Sequence, residues 1–219
     1  MKSNSPWSWI DSNRYPSFCL SFTRNITPTR VLEIYGATPG VISKLSEEES
    51  VNVRPKASEM STLRAGSIAE WSFCFETFGL IGVTPKILKK LSEGREAIVI
   101  FSGGDGMDTL DRCVDSTRCE SFDLLTSRPA YGEGPFLIKS AMDKHRSANP
   151  GDLMLPAVFN FITCHYGLVI DEITARGKLA TAYVPPLPLD QSGNWPPSTN
   201  KKPAERGLGA SLHLDPPPE

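Results

Sequence analysis

The sequence predicts an α+β protein: a mainly antiparallel sheet with strand–helix units and two C-terminal helices packed on it. Two segments alternate apolar and polar residues and then reach an Ile/Val-Thr-Pro signal, the pattern of a strand followed by a helix. The run "EAIVIF", at residues 96–101, is typical of a central strand buried on both faces. Residues 135–166 carry helical rather than strand patterns.

The two strand–helix units share their signals. The alternating apolar positions are Phe18, Leu20 and Phe22 in the first unit and Trp71, Phe73 and Phe75 in the second. Thr27 and Thr84 fit the N-cap, and each precedes a proline at the first helical position, where no amide hydrogen is needed. The likeness is too brief to prove duplication, because shared capping chemistry explains it as well.

The segments around and between these units are predicted from composition and turn signals. Residues 46–60 are charged and contain a proline, which predicts a surface loop. Residues 61–77 are predicted to form a hairpin with its turn near Ala65-Gly66. Residues 110–125 alternate around "DST" and suit a second hairpin.

The C-terminal third is predicted to be helical before it ends in a strand. Pro135 opens one helix, and Asp152 is predicted to cap a longer one that runs through Tyr166 and stops at Gly167. Residues 171–185 are predicted to add a short turn and an edge strand.

The chain divides by composition into two parts. Residues 1–185 are predicted to form a single α+β domain of ordinary size. Residues 186–219 are rich in proline and poor in bulky apolar residues, so this tail is predicted to be disordered or peripherally docked.

Charge and hydropathy exclude two classes of partner. A net charge of −2 and a pI near 6.0 argue against nucleic-acid binding, which needs a basic face. The N-terminus lacks the apolar core of a signal peptide. The longest apolar stretch is interrupted by Pro156, Asn160 and His165, so no membrane span is predicted. We therefore expect a cytoplasmic protein.

The cysteine pattern predicts reduced thiols and no metal site. No Cys-x-x-Cys pair occurs among Cys19, Cys74, Cys113, Cys119 and Cys164. A turn at "DST" does not place Cys113 opposite Cys119, so no disulfide is expected there. Cys164 and His165 are neighbours on one helix and diverge by about 100°, so they do not form a catalytic pair with each other.

The candidate site is the glycine-rich stretch "FSGGDGMDTLDRC". Its predicted ligand-binding residues are Gly103, Gly104, Asp105, Gly106 and Asp108. Backbone amides in such a loop can face a phosphate, as in lipid kinases and NAD kinases. Those kinases follow the motif with Thr, whereas Met107 stands here. A β-turn between two strands needs the same glycines, and the sequence favours the turn.

Three aspartates in this region allow a second pair of interpretations. Asp105, Asp108 and Asp111 are spaced by threes and could hold Mg²⁺ if the loop folds back on itself. The same spacing is typical of a solvated face, and it lacks the alternating ligand order of a calcium loop. The solvated interpretation is favoured.

The order of signals along the chain resembles a known family. They are Trp9-Ile10-Asp11, Phe18-Cys19, Ile26-Thr27-Pro28 with Val31-Leu32, Trp71, Leu88-x-x-Leu91-Ser92, Phe101, Ser121-Phe122-Asp123, Gly132-x-Gly134-Pro135 and Tyr166-Gly167. This order resembles an uncharacterised domain-of-unknown-function family common in actinobacteria, over about Trp9 to Pro185. The resemblance implies no assigned activity and no catalytic residues. It also implies a strand and hairpin, not a nucleotide loop, after Phe101.

Two functions follow as hypotheses. The first is a non-catalytic binding or interaction module, because no strong catalytic constellation stands out. The alternative is an enzyme that binds a nucleotide or metal-bound phosphate at Gly103–Asp111. The sequence names neither a cofactor nor the protein or small-molecule partner.

Overall fold

The structure is a computed structural model that describes residues 5–10, 14–55, 60–104 and 106–185. Its strands are β1 (Phe18–Arg24), β2 (Ser43–Leu45), β3 (Ser61–Ile68), β4 (Trp71–Thr77), β5 (Glu96–Ser102), β6 (Asp108–Val114), β7 (Thr117–Asp123) and β8 (Leu179–Val184). Its helices are α1 (Pro28–Ile34), α2 (Glu47–Asn52), α3 (Pro85–Ser92), α4 (Leu137–Ala148), α5 (Met154–Tyr166) and α6 (Glu172–Arg176), with a 3-10 turn at Pro39–Val41.

The strands form one eight-stranded antiparallel sheet in the order β2-β8-β3-β4-β1-β5-β6-β7, which confirms the predicted α+β class. The "EAIVIF" strand, β5, lies between β1 and β6 as predicted. The last strand, β8, pairs with β3 on one side and with β2 on the other. The prediction of an edge strand there was wrong, because Ser43–Leu45 covers its outer side.

Helices cover both faces of the sheet and produce two hydrophobic cores. On one face, α1 and α3 pack against a core that includes Leu63, Cys74 and Val99. On the other face, α4 and α5 pack against the side chains that alternate with these. The result is a three-layer arrangement, in which the central strand β5 is apolar on both sides.

The N-terminal segment docks on the α5 face through two tryptophans. The Trp7 indole stacks on Phe159 at 4.6 Å between ring centroids and donates to Thr163 Oγ1 at 2.9 Å. The Trp9 indole donates to the carbonyl of Ile170. Both side chains are buried, so these two tryptophans belong to the hydrophobic core on this face.

Helices α1, α2 and α6 begin with a side-chain N-cap, whereas α3, α4 and α5 do not. The Thr27 hydroxyl accepts from the amide of Arg30 at 3.3 Å, as its predicted N-cap role requires. Thr84 also occupies an N-cap position, but its hydroxyl donates to the Ile81 carbonyl at 2.8 Å instead. Its helix therefore depends on the proline that follows and on the packing of its apolar face.

The segment predicted as a charged loop contains helix α2. Ser46 and Glu49 form a capping box, in which the Glu49 carboxylate accepts from the Ser46 amide at 2.7 Å. Three glutamates in the first turn are favourable near the positive end of the helix dipole. The high charge of this segment therefore favours a short surface helix rather than a loop.

The first hairpin turns four residues later than predicted. Its turn is at Ala69-Glu70, and Gly66 lies inside β3 opposite Phe73. A Cβ at Gly66 would come within 2.7 Å of the Phe73 ring. The glycine therefore serves close packing between strands, which a sequence pattern does not distinguish from a turn.

The long helix α5 begins after Asp152 rather than being capped by it. Leu153 is the N-cap, and the Asp152 carboxylate lies 3.4 Å from His145 Nε2. The prediction that Asp152 caps α5 was therefore wrong, and its carboxylate lies near His145 of α4 instead. The predicted stop is confirmed: Gly167 has a φ of 69° and ends the helix.

The proline-rich tail, residues 186–219, lies outside the described residues. The division into a 1–185 domain and a tail stays a prediction. Over the described ranges, none of the helices has both the length and the apolar character needed to cross a bilayer.

Candidate functional site

The predicted glycine-rich loop joins β5 to β6 as a hairpin. Ile100 pairs with Leu110 in antiparallel register, and the Gly103 amide donates to the Met107 carbonyl at 2.8 Å. A strand, not a helix, follows the loop, so the turn interpretation of this stretch is confirmed. The helix N-terminus that phosphate loops use is not present at this place.

Backbone conformation and close packing explain why glycine occurs in this loop. Gly104 has a φ of 72°, and a Cβ there would come within 1.8 Å of the Pro16 carbonyl oxygen, where the chain enters β1. Gly106 has a φ of 96°. Asp105 lies outside the described residues, and Asp108 begins β6. Ligand binding by Gly103, Gly104, Asp105, Gly106 and Asp108 stays a prediction.

The two described aspartates of this region, Asp108 and Asp111, do not converge. Asp111 is 5% exposed, and its Oδ1 lies 3.1 Å from Arg118 Nε on β7 as an ion pair without hydrogen-bond geometry. Burial raises the pKa of Asp111, and the nearby Arg118 charge opposes this shift. Asp108, three residues earlier on the strand, faces the other side of the sheet. Among the described residues, no group of three His, Cys, Asp or Glu side chains is placed to hold a metal ion.

All five cysteines are free, as predicted. Burial raises the pKa of Cys19 and Cys74 well above the ordinary thiol value, and it raises the pKa of Cys113 to about 12. These three are therefore neutral thiols that pack as small apolar groups. Cys164 is exposed on α5, and its neighbour His165 stacks on Phe161 at 5.1 Å.

The Gly132-x-Gly134-Pro135 motif covers the outer edge of the sheet. The Gly134 amide donates to the Cys119 carbonyl of β7 at 2.8 Å, and a Cβ at Gly132 would come within 2.4 Å of that same carbonyl oxygen. The segment leads into α4, whose Ile138 amide donates to the buried Glu120 carboxylate at 3.1 Å. This motif is therefore structural: it closes an edge strand and caps a helix.

A groove of about 480 Å³ lies at the end of the sheet opposite to the glycine loop. Its floor is formed by Ala65, Gly66 and Ala180 on β3 and β8. Its walls are the first turn of α1, at Pro28, and the residues around Ile42 that lead into β2. The groove is on the α1/α3 face of the sheet, because Ala65 and Ala180 pack there.

The groove exists because neighbouring elements differ in length. Strand β8 pairs with β3 only as far as Ala65, whereas β3 continues to Ile68. Helix α1 does not extend over this end, because it begins at Pro28. Alanine and glycine at the floor leave the space unfilled, where larger side chains would have closed it.

The rim of the groove carries polar groups that the protein does not use. The hydroxyls of Thr29 and Ser67 have no hydrogen-bond partner among the described residues, and both residues are exposed. Lys178 Nζ lies 3.6 Å from Glu49 Oε1. Lys44 has no carboxylate within 4.0 Å in the described part of the chain. These groups are available to a ligand.

The sequence analysis did not find this groove. Its parts come from α1, β2, β3 and β8, which are far apart in the chain and meet only through the sheet order. Small residues at alternate positions, Ala65 and Ser67, are a local signal, but such residues also occur in fully packed strands. The glycine loop was easy to recognise in the sequence, because several glycines at the end of a strand indicate a turn. The loop does form a turn.

Comparison with known protein families matches residues 3–145 to a family described as a family of unknown function, DUF6461. The match includes β1 to β7 and most of α4, and it ends before β8 and the Lys178 side of the groove. No curated protein and no solved structure matches the chain. The resemblance to a domain family without assigned activity is thus confirmed. Because the match covers well over half of the sequence, the chain belongs to the DUF6461 family.

Proposed function

We propose that this protein is a non-catalytic binding module that takes a small ligand into the groove between α1, β2, β3 and β8. The observation that carries the proposal is the groove itself: about 480 Å³ with an apolar floor and an unused polar rim. This volume is within the range of small-molecule sites, which combine apolar walls with a few polar groups that fix orientation.

The chemistry of the lining supports binding rather than catalysis. No histidine, cysteine, aspartate or glutamate is among the residues that line the groove. The hydroxyls of Thr29, Ser43 and Ser67 therefore lack an adjacent general base, without which a hydroxyl is a weak nucleophile. A site with hydroxyl and ammonium donors can hold a ligand in one orientation, but it has no group to move a proton at neutral pH.

A substitution that fills the groove with a large side chain tests the proposal. Ser67 is exposed on the floor side of β3, so Ser67→Phe should occupy the space without disturbing the core. Ser127→Phe, in an exposed loop elsewhere, is the matched control. In a thermal-shift screen of metabolites with the full chain, we expect ligands that stabilise the wild type and S127F but not S67F. Equal stabilisation of S67F by every ligand found would rule out the groove.

The alternative is an enzyme that binds a nucleotide or a metal-bound phosphate at the Gly103–Asp111 loop. Its support is that Gly104 and Gly106 adopt positive φ, as backbone amides that face an anion often require. Calorimetric titration with ATP and Mg²⁺ tests it. Heat that disappears in Asp105→Ala would favour the enzyme, whereas no heat in the wild type would end this alternative.

We also propose a cytoplasmic location. Five free cysteines, four of them buried, fit a reducing compartment, where disulfides rarely persist. Fractionation of the native host cells with an antibody against the full chain would test it, and recovery in a secreted fraction would contradict it.

A further inference from the structure

We infer that the ligand of the groove carries an anionic group, a carboxylate or a phosphate, which binds between Lys44 and Lys178. The inference rests on the proposed function, because it assigns a chemical class to the ligand of the same groove. Four features of the structure lead to it: the placement of the two lysines, the local balance of charge, the hydrogen-bond donors of the rim and the small side chains of the floor.

The two lysines lie on the same side of the sheet. Lys44 pairs with Ala180 in the β2–β8 register, and Lys178 precedes Ala180 by two residues. Residues two apart along a strand direction point to the same face, and both lysines line the groove. A ligand on the floor at Ala180 is therefore within reach of both flexible side chains.

The charge balance at the groove is positive. Glu49 is the carboxylate that approaches a groove lysine, with its Oε1 3.6 Å from Lys178 Nζ. Its other oxygen, Oε2, accepts from the Ser46 amide at 2.7 Å and so holds the carboxylate at the start of α2. Lys44 has no such partner among the described residues. The lining thus carries two ammonium groups and no carboxylate, and within the described residues Glu49 pairs with Lys178 and not with Lys44.

The remaining polar side chains of the lining can donate hydrogen bonds to an anion. Thr29 and Ser67 each offer one hydroxyl proton that no protein acceptor takes within the described residues. Ammonium and hydroxyl donors match the lone pairs of a carboxylate or a phosphate. A cationic ligand would instead meet two like charges with no carboxylate in the lining to offset them.

The small side chains of the floor determine how far the anionic group can enter the groove. Ala65, Gly66 and Ala180 project no more than a methyl group into the groove, so the ligand can lie against the sheet while its charge remains near the lysines at the rim. Both ammonium groups are exposed, and exposed pairs contribute little each. We therefore expect affinity to come from several weak contacts, with Kd on the order of millimolar for a bare anion.

The test is a titration of the full chain, followed by NMR chemical shifts, with inorganic phosphate and separately with succinate. The variants are Lys44→Gln and Lys178→Gln. The matched control is Lys90→Gln, an exposed lysine on α3 without a partner among the described residues. We expect Kd for the preferred anion to rise about threefold to fivefold in K44Q and K178Q, the size of an exposed ion pair, and to stay unchanged in K90Q. All three should keep the wild-type Tm.

The outcomes separate the two proposals. Stronger binding of phosphate than of succinate assigns a phosphoryl group, and the reverse assigns a carboxylate. Binding of neither anion, or binding with the same Kd in K44Q, K178Q and wild type, overturns the anionic ligand. If an uncharged ligand then stabilises the wild type but not S67F, the groove is still a binding site. If S67F affects no ligand, the proposed function itself fails.

Discussion

At the scale of single residues, buried carboxylates organise the loops around the sheet. Glu76 is fully buried and accepts from the amides of Ile81 and Gly82 at 3.1 Å and 3.0 Å. Burial raises the pKa of Glu76, and these two amides oppose the shift. Glu120 has the same role at the start of α4. Both side chains therefore satisfy backbone groups that would otherwise be unpaired, which is a structural task.

Glu47 carries the clearest expectation for pH dependence. Burial acts to raise its pKa, but hydrogen bonds from Tyr15 and Arg14 outweigh it and hold the pKa below the usual 4.5. A carboxyl whose pKa is lower in the folded state binds protons more readily when unfolded. Its stabilisation is therefore complete above pH 4.5 and is lost as the pH falls through the folded-state pKa.

We expect Glu47→Gln to be less stable than wild type at pH 7 and to lose less stability between pH 5 and pH 3. The glutamine keeps one acceptor for Tyr15 but removes the titrating charge. Urea unfolding at several pH values measures the effect, with Glu48→Gln, an exposed neighbour, as the control. Parallel pH profiles for E47Q and wild type would show that Glu47 does not titrate differently on folding.

At the scale of elements, local signals predicted local structure. Alternation identified β1 and β4, and the Thr-Pro signals located the starts of α1 and α3. Helix α2 was missed although Ser46 and Glu49 have the spacing of a capping box. The position of β8 between β2 and β3 could not be predicted, because it depends on contacts between distant segments. The groove was missed for the same reason.

A substitution at Gly66 tests how tightly β3 packs against its two neighbouring strands. A Cβ there would come within 2.7 Å of the Phe73 ring and 2.9 Å of the Leu179 side chain. Gly66→Ala should therefore lower the free energy of unfolding by about 1–3 kcal/mol, the usual cost of overpacking. Gly40→Ala is the matched control, since nothing lies within 4 Å of its Cβ position, and it should change stability by less than about 0.5 kcal/mol. Urea denaturation measures both, and equal stabilities would mean that the Phe73 ring moves aside freely.

At the scale of the whole molecule, β8 contributes both to the sheet and to one of its two cores. It supplies Ala182 and Val184 to the α1/α3 core and joins β2 to the rest of the sheet. Removal of β8 would leave the backbone of β3 unpaired along Ser61–Ala65 and would separate β2 from the sheet. Residues beyond Pro185 contribute no apolar periodicity by sequence.

Two shortened chains follow from this. A chain that ends at Leu189 should melt within a few degrees of the full chain, the shift expected for about 1 kcal/mol or less. A chain that ends at Lys178 lacks β8 and should not fold cooperatively. Differential scanning calorimetry compares them. A collapse of Tm in the longer variant would show that the tail packs on the domain, through Trp195 or Leu212.

The place of β8 also has a consequence for synthesis. The ribosome synthesises β3 and β4 well before β8. Until β8 has been synthesised, the backbone donors and acceptors on one side of β3 are unpaired in the nascent chain. During that interval the open edge is a template on which two growing chains of one polysome could pair. We therefore expect faster translation to increase pairing between neighbouring chains and the aggregation of this protein.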